Sequence, residues 1–157
     1  MTTDDTVSTS TAAEDGLVLP PDLERRVTEL PVRPGEDPWT LQEVEEVAEG
    51  LVAEMDRLRQ ELAAADAELS DLLRNSGDGA GDDQADSGSS ALEREQELTL
   101  LNNTRDLLEQ HTHALHRLGT DGFGACEQCG QAVGKARMQA FPRATLCVEC
   151  KSRQERR

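Results

Sequence analysis

Tyrosine is missing from this 157-residue chain, and Trp39, Phe123 and Phe141 are its only aromatic side chains. With 31 % of the residues charged, a large globular core is not expected. Basic residues are scarce as well: 16 Lys and Arg stand against 32 Asp and Glu, a formal charge of −16. Wrapping nucleic acid depends on Lys and Arg neutralising phosphates, so that class of partner is disfavoured. No apolar run approaches the roughly 20 residues of a membrane span, and no basic segment followed by an apolar core opens the chain. The chain reads as cytoplasmic, with no membrane partner.

Cysteine is confined to one place. Cys126-Glu127-Gln128-Cys129 and Cys147-Val148-Glu149-Cys150 are two C-x-x-C pairs with 17 residues between them. Two thiolates three positions apart on a tight turn face one ion, and two such turns supply four soft ligands at tetrahedral geometry, which suits Zn²⁺. Gly130 lets the backbone curl directly after the first pair. Disulfides would need an oxidising compartment, and a redox dithiol would need a βαβ context. No His, Asp or Glu stands in a ligand position of either pair, so Cys126, Cys129, Cys147 and Cys150 are expected to close the shell of one structural zinc, without an open site for catalysis.

The rest of the chain is punctuated into helices. Residues 1–16 are polar and aperiodic, the composition of a disordered tail. Within 17–38, Leu23, Val27 and Leu30 have the spacing of a short amphipathic helix stopped by Pro31, and Pro34, Gly35 and Pro38 mark a linker. Thr40-Leu41-Gln42-Glu43 has the form of a capping box. From Leu41, apolar residues at Val44, Ala48, Leu51, Met55, Leu58, Leu62, Ala65, Leu69 and Leu72 alternate by three and four, a heptad seam. The Gly- and Ser-rich stretch 75–90 is expected to be a loop, and Ser90-Ala91-Leu92-Glu93 a second capping box. A second helix then runs to about Leu118, with Leu98, Leu101, Leu108 and Leu115 on one stripe and Leu107, Ala114 and Leu118 beside it.

These segments predict a mostly α fold: an antiparallel coiled-coil hairpin over 39–118 with a tip loop at 75–90, then a zinc finger and C-terminal helix over 119–157. Arms of 35 and 28 residues would be roughly 52 and 42 Å long, so the start of the first helix should overhang and pack, with Trp39, against the zinc module. The hairpin closes within one chain, which predicts a monomer. Charge is uneven: Trp39 to Arg74 carries ten acids and three bases, whereas Gly119 to Arg157 carries seven bases and four acids. The acidic arm reads either as a solvated face or as a surface that docks on a basic protein.

Three stretches, Gly122-Phe123-Gly124-Ala125-Cys126-Glu127-Gln128-Cys129-Gly130, Arg137-Met138-Gln139-Ala140-Phe141-Pro142 and Leu146-Cys147-Val148-Glu149-Cys150-Lys151, resemble the signature of the DksA/TraR family. The resemblance implies a coiled-coil hairpin joined to a four-cysteine finger, in a regulator that binds RNA polymerase and inserts the hairpin into its secondary channel without sequence-specific contact to DNA. It also implies a tip motif, Asp-x-x-Asp-x-Ala, which Asp83-Gln84-Ala85-Asp86-Ser87-Gly88 matches at both acids, with Gly88 in place of alanine. The family's basic positions for the alarmone ppGpp fall on Gln110, Phe141 and Lys151. Only Lys151 keeps a cation, which implies weak ppGpp coupling or none.

Two further functions stay open on the sequence. One is a Gre-like accessory factor whose tip acids help hold Mg²⁺ for transcript cleavage. The other is a zinc-capped coiled coil that binds another protein. His111, His113 and His116 lie close together but lack a completing carboxylate pair, and read as surface or seam residues. No nucleophile and base pair or phosphate loop marks an enzyme.

Overall fold

The computed structural model describes residues 19–75 and 84–157, with only the backbone of residues 84–87. The tail expected at 1–16 lies outside the described residues. The chain enters through α1, Leu23–Arg26, which continues as a 3₁₀ turn over Val27–Glu29. Leu23, Val27 and Leu30 are buried, as their spacing implies. Arg26 turns to the far end of the hairpin, where its guanidinium donates to the carbonyls of Gly119 (3.3 Å) and Thr120 and pairs with Asp121 at 3.3 Å.

The first arm is α2, Leu41–Asn75. Its capping box forms as expected: the Glu43 N–H donates to Thr40 Oγ1 (3.3 Å) and the Thr40 N–H donates to Glu43 Oε2 (2.9 Å). The second arm is α3, Gln84–Gly119, and the two pack on each other as a hairpin. Arg105 of α3 reaches Asp66 of α2 at 3.6 Å. Nearer the finger, Leu51 of α2 and Ala114 and Leu118 of α3 share one core.

Two expectations about α3 are corrected. The expected loop at 75–90 is shorter on this side, because α3 begins at Gln84, and Ser90 sits inside a helix instead of capping one. At 36 residues α3 is about 54 Å long and nearly matches α2. The reason is propagation: extending a formed helix through Ser and Gly costs at most about 1 kcal/mol per residue. The stripe also differs at one position. Glu97, Leu101, Thr104, Leu108, His111, Leu115 and Leu118 alternate by three and four and are buried or half-buried, while Leu98 is exposed.

The α2 seam holds, but its burial fades along the arm. Val44, Ala48, Leu51, Met55 and Leu58 are buried, Leu62, Ala65 and Leu69 are half-buried, and Leu72 is exposed. The α3 seam explains this, because Glu97 and Thr104 offer less apolar surface there than the leucines that occupy it nearer the finger. The firmest packing lies at the other end, where Trp39, Val44, Val47, Ala48 and Leu51 meet Ala114, Leu118, Phe123, Val133 and Met138. Trp39 and Phe123 contact edge to face, with ring centroids 5.8 Å apart. The start of α2 therefore does pack on the finger, which also contains α4, Lys135–Ala140, and α5, Val148–Glu155. The only β pairing among the described residues is an isolated bridge between Ala125 and Ala132.

Candidate metal centre and hairpin tip

The first cysteine pair sits on a turn closed by backbone bonds. The Gly130 N–H donates to the Cys126 carbonyl (2.8 Å), and the Cys126 N–H donates to the Gln131 carbonyl (2.7 Å). Gly130 has φ +75°, which other residues reach only with strain. The second pair opens α5: Cys147 is its N-cap, with its sulfur 3.5 Å from the Cys150 N–H, and Cys150 lies in the first turn.

The four Sγ atoms lie within 4.8 Å of one another, and those of Cys129 and Cys147 are 3.8 Å apart. A tetrahedron with Zn–S bonds of about 2.3 Å has an edge of about 3.8 Å, so the donor set fits zinc. Burial pushes the Cys126 thiol up, but N–H groups of Cys147, Cys129 and Gln128 point at its sulfur and bring its pKa down to about 6. Burial, reinforced by the neighbouring thiols, pushes Cys150 up to about 12. Without metal the cluster therefore holds protons that an entering cation must displace, which makes affinity rise with pH.

Three side chains lock this centre to the hairpin, and the sequence reading named none of them. Arg117, near the end of α3, is buried and donates to the carbonyls of Gly122 (2.6 Å), Ala125 and Ala144 (3.3 Å), with Glu127 3.5 Å from its Nε. Glu127 Oε1 also accepts from His113 Nε2 at 2.6 Å. Glu36, in the linker, receives the N–H groups of Lys135 (2.9 Å), Ala136 (3.3 Å) and Arg33 (2.8 Å). It thereby caps α4, whose own N-cap residue, Gly134, has no side chain to do so. Lys135 in turn pairs with Glu43 at 2.7 Å, donates to the Pro38 carbonyl (3.2 Å) and lies 5.8 Å from the Trp39 ring centre. The one legible signal was Gly134 itself, a helix start with no cap of its own.

At the tip, Asp83 lies outside the described residues. Asp86 falls in the first turn of α3, and Gly88 is exposed within the same helix, with open space where a Cβ would stand. Lys151 is brought together with Gln110 and Phe141 along a groove of about 500 Å³. The same groove takes in Arg137 and Arg143, which the count of family positions had passed over. Arg143 donates to Gln110 Oε1 at 2.5 Å, and the buried Arg137 Nε has no hydrogen-bond partner among the described residues. Of the histidines, His111 is half-buried in the seam with Nδ1 2.7 Å from the Leu107 carbonyl oxygen, while His113 and His116 line an open groove on the outer face of α3.

Comparison with known proteins decides the family. Residues 120–156 match the model described as the prokaryotic dksA/traR C4-type zinc finger. The RNA polymerase-binding transcription factor DksA of Caulobacter vibrioides is 40 % identical over 75 residues, 48 % of this chain and 53 % of that protein. The protein of the same name from Escherichia coli K12 is 38 % identical over 64 residues, 40 % of this chain and 42 % of that one. The match thus spans about half the length of these curated relatives. A solved structure, the transcription factor DksA2 from Pseudomonas aeruginosa, aligns at TM-score 0.61 and 30 % identity over 74 % of this chain and 85 % of that one.

The chain belongs to the DksA/TraR family. Its cofactor is one structural zinc ion, as the C4-type finger and the four converging thiols require. In this DksA/TraR finger the metal has no substrate position, because four sulfurs complete a tetrahedral shell. What the metal supplies is a cross-link between the turn at Cys126 and the start of α5. Arg117, Glu36 and Lys135 then carry that rigidity into the hairpin.

Proposed function

We propose that this chain is a transcription regulator that binds RNA polymerase and places the tip of its hairpin in the secondary channel, altering initiation without reading DNA sequence. The supporting observation is a C4 finger rigidly joined to a long hairpin in a chain whose relatives are named as RNA polymerase-binding transcription factors. Cys126, Cys129, Cys147 and Cys150 hold the zinc, and the finger anchors the base of the hairpin. Asp83 and Asp86 act at the tip through their carboxylates, beside the catalytic Mg²⁺ and mobile basic loops of polymerase. The protein works by binding and not as an enzyme. It acts as a monomer, since the apolar seam of α2 from Val44 to Leu58 is covered within the chain that carries α3.

Coupling to ppGpp is weak in this reading. Of the three family positions only Lys151 is a cation, and Phe141 offers none, while Arg143 is engaged by Gln110. Arg137 and Arg143 keep the groove positive enough that some coupling remains. Site-specific crosslinking from the tip to purified polymerase tests the main reading, together with the double variant Asp83→Asn, Asp86→Asn. The variant should still bind polymerase, keep its stability within about 0.5 kcal/mol, and lose its effect on open-complex lifetime. A variant with full regulatory effect would remove the proposed role of these aspartates.

A further inference from the structure

The distal half of the hairpin leaves leucines in solvent: Leu72 is 38 % exposed, Leu73 56 %, Leu98 47 % and Leu100 59 %. Two of them share a flank. Asp66 and Arg105 meet across the arms at 3.6 Å. One heptad toward the tip from each, on helices running in opposite directions, stand Leu73 and Leu98. Leu72, at the open end of the α2 seam, adjoins them. Leu100 lies on the opposite flank, where the facing heptad positions of α2 are Glu68 and Asn75, and so is no part of this cluster.

Charge narrows what can cover this flank. Residues 61–106 carry twelve Asp and Glu against three Arg. A second copy would bring the same excess of negative charge into contact with the first. The chain's own N-terminal stretch, 1–18, carries four acids and no base, and is repelled likewise. Nucleic acid and anionic lipid are disfavoured on the same ground. A basic protein surface with an apolar centre satisfies both the leucines and their acidic surround.

We propose that Leu72, Leu73 and Leu98 form a docking flank for an apolar protein surface rimmed by Lys and Arg. The inference rests on the polymerase reading, and assigns that surface to the wall of the polymerase channel through which the hairpin passes. The acids steer the arm into place and the leucines hold it, so affinity has a salt-dependent part from the acids and a salt-independent part from the flank.

The test compares four chains for affinity to purified RNA polymerase across a salt series: the wild type, Leu73→Ser with Leu98→Ser, Leu73→Met with Leu98→Met, and Leu100→Ser. Helix content and bound zinc are measured on each. Re-exposing apolar surface predicts about tenfold or greater loss for the double serine variant, with an unchanged salt slope. The double methionine variant and Leu100→Ser should bind like the wild type. Equal binding by the double serine variant overturns the docking flank and leaves the polymerase reading standing. Equal impairment by Leu100→Ser also overturns it, since the effect would not belong to this flank. No binding by the wild type removes the polymerase reading and this inference with it. A wild-type dimer in sedimentation that the double serine variant dissociates would make a second copy the occupant and overturn the basic partner.

Discussion

Replacing Arg117 with Met should detach the finger from the hairpin more effectively than any exposed substitution. Arg117 is 6 % exposed, and its guanidinium is the donor for the carbonyls of Gly122, Ala125 and Ala144. Methionine fills much of the same space but offers no N–H, so the Ala125 and Ala144 oxygens lose their partner beneath the side chain that covered them, while Gly122 keeps the Ala125 N–H at 3.4 Å. A buried polar group left unpaired costs about 1–3 kcal/mol, and two carbonyls that partly relax toward water bring the total to about 2–4 kcal/mol. That is a large share of the roughly 5–15 kcal/mol that holds a typical domain. Arg117→Lys should recover little, because one ammonium cannot span three carbonyls as the planar guanidinium does. Urea unfolding at saturating zinc, followed by helix signal and by zinc release, reads the loss directly. An Arg117→Met chain that unfolds within about 1 kcal/mol of the wild type would refute the reasoning, since the carbonyls would then have found water at no cost.

Other outcomes follow from the same geometry. Cys129→Ser should release the metal and unfold the finger, because structural zinc contributes on the order of 10–16 kcal/mol in small fingers; zinc content and helix signal at 25 °C check it. Glu36 should give the fold an acid-sensitive component. The N–H of Lys135, then that of Arg33, holds its carboxyl below the ordinary value of 4.5, so the stabilisation is complete above that value and is lost as pH falls through the lower, folded-state value. Glu36→Gln should therefore flatten the part of the stability profile below about pH 4.5 relative to the wild type at equal zinc. Gly50→Ala should stabilise α2 by about 1 kcal/mol, since a Cβ there meets nothing within 4 Å and the residue sits in mid-helix; thermal unfolding measures it.

Local signals were legible where a short stretch of chain decides the outcome by itself. Spacing alone identified the four thiols, the capping box at Thr40 and the α2 seam, because ligand pairs, caps and heptads are properties of a few consecutive turns. Composition misled at Ser87-Gly88-Ser89-Ser90, where turn-prone residues yield to a helix already under way. It misled again at Leu98, which is exposed, while Leu101, Leu108 and Leu115 of the same expected stripe are buried or half-buried and Glu97 takes its place in the seam. Sequence by itself therefore determined the metal centre, the two arms and the acidity of the distal hairpin. Tertiary structure alone decided how far toward the tip the seam is covered, and that Arg117, Glu36 and Lys135 bind the finger to the rod. Those contacts join residues as much as 100 positions apart, and no local periodicity records which buried carbonyl or uncapped N–H a distant side chain will satisfy.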